Sequence, residues 1–332
     1  MKTIIDIARA AGVAKSTVSR YLNGGSVSDA TREKIERIIK QNQYVPNTFA
    51  QSLKAKRTSI IGTIVPRLDS YAVSQTLMGI DDELRGRQYQ LLIANTNQDL
   101  EREIEFIYEM ARQKVSGLLL LAAQVTERHL KAVRDCKIPV ILIGQQHADL
   151  HSVIHDDVTA GYLMGKHILE KGHRHIAYLG VTEQDIAVGV RRKQGFQRAL
   201  REYGNCDARF YTSGFRMNEA VTAADLLFED RVPTVIVCAT DNIALGVMKA
   251  ASLRHILIPS GVSVTGFGDY EVTEIVHPAL TTMRFYYREA GQLAAENIIA
   301  LVNGEEVAKV SVSGCEIIQR ESVDNLTGLS IQ

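Results

Sequence analysis

Beyond about residue 59, short apolar runs alternate with longer stretches in which apolar residues recur at helical spacing. The runs are continuous and bounded by turn residues, which is typical of buried parallel strands. They lie at Ile60–Val65, Gln90–Ala94, Gly117–Leu121, Val140–Ile143, Ile176–Gly180, Thr234–Cys238, Val262–Gly266 and Leu280–Met283. The helical stretches are Gln75–Arg85, Glu101–Gln113, Thr126–Cys136, Arg191–Tyr203, Asn242–Leu253 and about 288–302. This alternation predicts an α/β fold with doubly wound parallel sheets, in two lobes that cross near 156–161 and return near 284–288.

The first 46 residues carry a different pattern, that of short amphipathic helices. Thr3 can cap a first helix, and Gly12 can adopt the positive φ that ends it. A second helix, Ala14–Leu22, buries Val18 on one face. Its opposite face carries short polar or basic side chains: Lys15, Ser16, Ser19 and Arg20. A third helix follows Ser28, and the whole predicts an all-α helix-turn-helix headpiece that enters the major groove. A small helical bundle without a DNA role is the alternative.

A short linker separates the headpiece from the lobes. Pro46 ends the preceding helix, because the residue before a proline avoids the α region. Asn47 can cap a segment up to Leu53 that is too short to be a stable helix alone, which suits an element that folds on binding. A plain tether is the alternative. The sequence therefore predicts a helix-turn-helix DNA-binding domain (1–46), a hinge helix and linker (47–58) and a two-lobed domain (59–332).

The net charge is zero, but it is unevenly distributed along the chain. Residues 1–58 contain eleven basic and four acidic residues, which leaves an excess of seven acidic residues in the remainder. A cationic head on an anionic body favours binding to the phosphate backbone of DNA. No apolar run approaches the ~18 residues of a membrane helix, and the N-terminus lacks a signal core. We therefore expect a cytoplasmic protein without a membrane partner.

Motifs of the common enzyme classes are missing from the sequence. There is no GxGxxG after a strand, no GxxxxGK[ST], no GxSxG and no HExxH. The four cysteines and nine histidines show no metal-ligand spacing. The sequence thus predicts neither catalysis nor a bound cofactor or metal. A cytoplasmic sugar-binding protein or enzyme without a DNA role is the alternative from a different class.

Two motifs of the headpiece carry a family resemblance. Residues 5–23 (IDIARAAGVAKSTVSRYLN) and 44–53 (YVPNTFAQSL) resemble the start of LacI/GalR-family transcription regulators. The resemblance implies a homodimer on a pseudo-palindromic, double-stranded operator, and lobes like those of periplasmic sugar-binding proteins. It assigns base contacts to Lys15, Ser16 and Arg20, and phosphate contacts to Thr3, Thr17, Ser19, Asn23, Tyr44 and Asn47. It makes Leu53 a wedge in the minor groove.

Candidate effector contacts follow the predicted strands, because ligands of parallel α/β sheets lie beyond the carboxyl ends of the strands. These loops supply the carboxylates, amides and aromatic rings that a sugar needs. The candidates are Arg67, Asp69, Tyr71, Gln145, Thr240, Asp241 and Asp269. The family resemblance adds Arg192, Phe215 and Tyr287. For each residue, a loop cap or a salt bridge that closes the lobes is the alternative.

Departures from the family pattern bear on the identity of the effector. Gly268 stands where the family commonly has Asp, and Asp269 follows one place later. Arg67 is similar to an arginine that holds a sugar phosphate in trehalose repressors, but the matching second position is the neutral Gln145. The sequence is most similar to repressors of α-glucoside use, such as those of sucrose operons. It predicts a repressor released by a small sugar or sugar phosphate, with sucrose favoured and a trehalose-6-phosphate-responsive repressor as the alternative. Because no leucine-heptad tail ends the chain, we expect a dimer.

Overall fold

A computed structural model of the chain describes residues 3–22, 25–44 and 58–327. The chain divides into two compact units between Ser59 and Ile60. No helix among the described residues is both long enough and apolar enough to cross a bilayer.

The first unit contains three helices, α1 (Ile4–Ala10), α2 (Lys15–Leu22) and α3 (Asp29–Gln41). Thr3 and Asp6 form a reciprocal capping box at the start of α1, which satisfies backbone N–H groups that have no partner within the helix. Gly12 follows α1 at φ +60°, where a side chain would be strained. A small core of fully or nearly fully buried residues joins the three helices: Ile7, Ala8, Ala11, Val18 and Ile35. The predicted all-α headpiece is confirmed.

The second unit begins with a lobe built on a six-stranded, all-parallel sheet. Its strands are β1 (Ile60–Val65), β2 (Gln90–Asn95), β3 (Gly117–Leu120), β4 (Val140–Ile143), β5 (His151–His155) and β11 (Val310–Ser313). They follow the order β11-β5-β4-β3-β1-β2. Its helices are α4 (Tyr71–Gly86), α5 (Leu100–Arg112), α6 (Glu127–Cys136) and α12 (Tyr287–Asn303). Helices α4 and α12 cross so closely that a Cβ on Gly79 would lie 1.9 Å from the carbonyl oxygen of Arg288.

A second lobe repeats this architecture. Its strands are β6 (His175–Gly180), β7 (Asp207–Thr212), β8 (Val235–Cys238), β9 (Ser263–Gly268), β10 (Thr281–Phe285) and β12 (Cys315–Ile318). They follow the order β12-β10-β9-β8-β6-β7, and only the β10–β12 pair is antiparallel. Its helices are α7 (Asp157–Glu170), α8 (Lys193–Tyr203), α9 (Met217–Asp230), α10 (Asp241–Leu253) and α11 (Val272–Ile275). A π-helix, Ile186–Arg192, precedes α8.

The chain passes between the lobes three times within the described residues: after β5, after β10 and after β11. The first two crossings fall where the sequence predicts them, and the third, near residue 314, is additional. The predicted doubly wound parallel sheets in two lobes are confirmed. Among the elements that the sequence did not predict are β5, α7, β7, α9 and the β11–β12 pair.

Candidate functional site

The second helix of the headpiece turns one face to solvent. Val18 is fully buried in the headpiece core, whereas Lys15, Ser16 and Arg20 are exposed on the opposite side. Lys15 and Arg20 form no ion pair with any residue that the structure describes. Two such cations beside a short hydroxyl residue match the side chains that contact phosphates and base edges in the major groove.

The other predicted DNA contacts lie in varied environments. Thr17 and Ser19 are partly exposed on α2, and Tyr44 packs partly against the headpiece core. Thr3 is exposed, and its hydroxyl donates to Asp6 Oδ2 over 2.8 Å, so it already stabilises the start of α1. Asn23, Asn47 and Leu53 lie outside the described residues.

A cavity of about 190 Å³ lies between the two lobes of the second unit. It opens beyond the carboxyl ends of strands from both sheets, as expected for ligand sites of parallel α/β folds. We call it the inner cavity; its polar and aromatic lining is Arg67, Ser70, Thr76, Gln98, Gln145, His155, Asp157, Asp185, Arg192, Phe215, Thr240, Asn242, Tyr270 and Tyr287. Six of the ten predicted effector contacts are among these residues: Arg67, Gln145, Arg192, Phe215, Thr240 and Tyr287.

Arg192 is the most strongly anchored residue of the inner cavity. Its Nε and Nη2 donate to Asp157 Oδ1 over 3.0 and 2.6 Å, and its Nη1 donates to the carbonyl oxygen of Ala239. Its guanidinium lies between the rings of Phe267 and Phe285, 4.8 Å from each centroid. Burial opposes the charge on Arg192, but Asp157, Tyr287 and Tyr178 together outweigh it and raise the pKa of the guanidinium. Since a guanidinium has five N–H donors, two remain for a ligand after these three bonds.

Two further titratable groups set the charge of the lining. Burial lowers the pKa of His155 to about 4, so its imidazole is neutral at pH 7. Its Nδ1 has no hydrogen-bond partner among the described residues. Burial raises the pKa of the Asp185 carboxyl, which accepts a hydrogen bond from Val188 N over 2.9 Å and caps the π-helix. The lining thus offers neutral and anionic acceptors beside the fixed cation.

Contacts between the lobes surround the inner cavity. Ile186 N of the second lobe donates to the carbonyl oxygen of Ala123 in the first lobe over 3.4 Å. The guanidinium of Arg67 lies over the Phe215 ring, 5.2 Å from its centroid. The rings of Tyr71 and Tyr270 pack at 4.4 Å. Movement of one lobe against the other therefore changes the cavity walls directly.

Four predicted effector contacts lie outside the lining. Asp69 is exposed and lies 3.7 Å from Arg67, and Tyr71 packs on Tyr270 between the lobes. Asp269 is engaged by Arg284 and Arg320 at 2.6 and 2.7 Å, so it is a salt-bridge anchor within the second lobe. The ion pairs of Asp69 and Asp269 each lie within one lobe, whereas Tyr71 makes a ring contact across the lobes.

Asp241 is the fourth of these residues, and it is completely buried. It accepts hydrogen bonds from Tyr270 N over 2.9 Å and from Thr282 Oγ1 over 2.5 Å. Burial raises the pKa of its carboxyl to about 7. The carboxyl therefore fixes the loop that carries Tyr270, while the flanking residues Thr240 and Asn242 line the inner cavity.

The surroundings of Gly268 leave no room for the Asp side chain that the family resemblance leads us to expect at this position. Gly268 adopts φ +141°, and a Cβ there would lie 2.2 Å from Tyr270 Cε1. The Tyr270 ring therefore covers the backbone at the position where the family commonly has Asp. Tyr270 lines the inner cavity, and the loop presents a phenol to it.

Sequence reasoning did not assign an effector contact to several residues of the lining, namely His155, Asp185, Asn242 and Tyr270. Asp185 and Asn242 follow strands β6 and β8, so the strand-end rule applied to every strand would have found them. Asp157 lies at a lobe crossing, and its role depends on its distance from Arg192, which the sequence does not give. No group of His, Cys, Asp and Glu side chains within the described residues is arranged to hold a metal ion.

Comparisons with known proteins match residues in both units of the chain. Residues 3–47 match bacterial regulatory proteins of the lacI family, and residues 166–323 match a periplasmic binding protein-like domain. The sucrose operon repressor of Staphylococcus xylosus is 41% identical over 308 residues, which cover 92% of this chain and 96% of that protein. The transcriptional repressor PurR of Vibrio atlanticus is 32% identical, covering 98% of this chain and all of that protein.

Solved structures give the same result. The lac repressor dimer bound to operator and the anti-inducer ONPF is similar with a TM-score of 0.90 and 25% identity, covering 97% of this chain and 99% of that chain. The cellobiose complex of the transcriptional regulator CelR is similar with a TM-score of 0.73 and 25% identity, covering 97% of this chain and 100% of that chain.

Proposed function

Since this chain belongs to the lacI family of bacterial regulatory proteins, we propose that it represses a carbohydrate-utilisation operon and is released by sucrose or a related α-glucoside. Membership makes it a DNA-binding transcriptional repressor that acts on operator DNA as a dimer, rather than an enzyme. Because the operator is its site of action, we place it in the cytoplasm. The identity of the effector depends on the residues that line the inner cavity.

The inner cavity supports a sugar as the effector. Sugars combine hydroxyl groups that donate and accept hydrogen bonds with an apolar face that stacks on aromatic rings. The cavity provides two spare N–H groups of Arg192, the amides of Gln145 and Asn242, and the rings of Tyr270 and Tyr287. This combination around one anchored arginine is the observation that carries the proposal.

The charge of the lining favours a neutral sugar over a sugar phosphate. Two arginines, Arg67 and Arg192, face two carboxylates, Asp157 and Asp185. Arg192 is already neutralised by Asp157 at 2.6 Å. A phosphate dianion requires an excess of cations, and position 145 supplies an amide instead. The trehalose-6-phosphate alternative therefore depends on Arg67 alone.

The relatives support the same class of effector. The protein that is 41% identical is named a sucrose operon repressor, and the CelR structure contains cellobiose, a disaccharide. Applied to this chain, these names favour a disaccharide over a purine or a single sugar ring.

We propose that the sugar acts through residues 47–58, the proposed hinge between the DNA-binding and effector-binding parts, with Leu53 as the wedge. The DNA contacts proposed for Lys15, Ser16 and Arg20 would hold the headpiece on the operator. By linkage, the factor by which the sugar weakens DNA binding equals the factor by which DNA weakens sugar binding.

The test measures both halves of this coupling. Fluorescence anisotropy of a duplex carrying the promoter next to the gene should rise on addition of the protein and fall steeply with salt. Sucrose, trehalose, maltose and their 6-phosphates are then added in turn. Sucrose or another α-glucoside should lower the anisotropy, whereas operator binding that ignores all six compounds would refute the proposed effector class.

A further inference from the structure

A larger chamber of about 620 Å³ adjoins the inner cavity. The two spaces share Pro66, Arg67, Gln98, Ala123, Asp185 and Phe215 in their linings. We call this space the outer chamber; its remaining polar lining is Glu103, Gln124, Thr182, Gln184, Arg216 and Glu219. Arg67 stacked on Phe215 forms part of the boundary between the two spaces.

Glu103 is the most constrained polar residue of the outer chamber. Its side chain is only 8% exposed although it carries a carboxylate. Its Oε1 lies 3.0 Å from Nε2 of the fully buried His129. Nδ1 of His129 lies 3.1 Å from Thr126 N and 2.9 Å from Thr126 Oγ1 at the start of α6. The backbone of α6 thus fixes the imidazole, and the imidazole fixes the carboxylate.

The second carboxylate oxygen of Glu103 is left for another partner. Oε2 receives no hydrogen bond from any residue in the described ranges, and Glu103 lines the outer chamber. Oε2 is accessible rather than sealed from solvent, so a ligand hydroxyl in the chamber can donate to it while Oε1 keeps its bond to His129. The neighbouring lining consists mainly of amides and carboxylates, which pair with hydroxyl groups.

We propose that the outer chamber binds the second sugar unit of a disaccharide effector and that Glu103, oriented by His129, accepts a hydroxyl of that unit. This inference rests on the proposed function, because it requires a sugar in the inner cavity. The first sugar unit contacts Arg192 in the inner cavity, and the glycosidic bond between the two units lies beside Arg67 and Phe215. Gln184 faces the same unit from the second lobe, so a disaccharide contacts both lobes in both spaces.

The experiment compares one disaccharide with its component sugars. Isothermal titration measures sucrose, glucose and fructose binding to the wild type and to Glu103→Gln, Gln184→Ala and the control Glu101→Gln. Glu101 lies on the same helix, but it is exposed and pairs with Arg128 outside the chamber lining. The proposal expects glucose and fructose to bind the wild type at least about tenfold more weakly than sucrose.

Glu103→Gln should weaken sucrose binding by about tenfold or more, because a bond to a charged acceptor is lost. Glucose and fructose affinities, and all affinities of Glu101→Gln, should stay within about twofold. Gln184→Ala, an exposed position that does not threaten folding, should also weaken sucrose selectively. Sucrose binding unchanged in both chamber variants, or an equal loss for all three sugars, would overturn the proposal. A wild type that binds none of the three sugars contradicts sucrose as the proposed effector, and with it this assignment of the chamber.

Discussion

Helix α2 of the headpiece, which we propose faces DNA, and the inner cavity between the lobes differ in how their residues are arranged. The helix presents residues that are neighbours in sequence, exposed, and, at Lys15 and Arg20, without an ion pair to any described residue. The cavity gathers residues more than 200 positions apart, and its main cation is buried between a carboxylate and two rings. A contact on the helix can therefore be removed without affecting folding, whereas a cavity residue contributes to binding and stability together.

The largest expected effect comes from removing the anchored cation. Arg192→Ala leaves Asp157 buried without its partner, which should lower the free energy of unfolding by about 3–5 kcal/mol. Sugar should no longer release the operator, because the fixed donors are lost. Arg191→Ala removes a neighbouring charge that has no such pair within the described residues and serves as control. Chemical denaturation and operator anisotropy measure the two effects. A variant with normal stability and normal release by sugar would show that Arg192 contributes to neither folding nor sugar binding.

Removing a cation from the headpiece should separate binding from stability. Arg20→Ala should weaken operator binding by about 1–3 kcal/mol, roughly fivefold to 150-fold, since a base or phosphate contact is lost. Its melting temperature and sugar affinity should match the wild type. Arg37→Ala removes the same charge from the exposed face of α3 and should change operator affinity much less. Equal losses of operator affinity in both variants would show that binding depends on the total charge of the headpiece rather than on contacts from the exposed face of α2.

The glycine beneath Tyr270 tests whether cavity shape and stability are coupled. Gly268→Ala places a methyl group against the Tyr270 ring and strains φ +141°, so stability should fall by about 2 kcal/mol and sugar binding should weaken. Gly304→Ala, at φ +83° with nothing within 4 Å, carries backbone strain without the clash. Calorimetry of both variants measures their stability and separates the cost of backbone strain from the cost of the clash with the Tyr270 ring. Wild-type sugar binding by Gly268→Ala would show that Tyr270 does not shape the site.

The last effect depends on pH and should be confined to the lobes, since residues 1–59 contain no histidine. Burial lowers the pKa of both His155 and His173 to about 4. Between pH 7 and 5 the unfolded chain takes up protons on them that the folded protein does not, so stability falls by about 2 kcal/mol per histidine. Asp241, its pKa raised to about 7, opposes this loss because the folded protein keeps that proton.

Asp241→Asn isolates this compensation. Without the titrating carboxyl, the loss of stability between pH 7 and 5 should become steeper by about 2 kcal/mol. Urea unfolding at the two pH values measures it in the variant and the wild type. Parallel pH profiles for the two proteins would mean that Asp241 does not hold a proton in the folded state.

The same contrast explains which structural elements could be predicted from the sequence and which could not. The helices of the headpiece follow from local spacing, and α2 begins within one residue of its predicted start. Strand β7 was missed because it is a half-exposed edge strand without a continuous apolar run. Helix α7 was missed because its residues coincide with the lobe crossing that the pattern did predict.

The sequence predicted those residues of the candidate cavity that directly follow a predicted strand. Gln145 and Thr240 follow strands directly, and both line the cavity. Asp241 and Asp269 follow strands equally well, but hydrogen bonds within the second lobe occupy them. Which of two adjacent polar residues faces the cavity depends on the turn geometry after the strand, and a single sequence does not contain that information.

The lobe crossings after β5 and β10 bring recognition and motion to the same residues. His155 and Asp157 flank the first crossing and Tyr287 follows the second, and all three line the inner cavity. We propose that the lobes turn about these segments. A mutation that alters sugar preference there would then also change the resting angle of the lobes, and with it the balance between repression and release. New specificities should therefore evolve more readily at positions away from the pivots, where preference can change while the angle is kept.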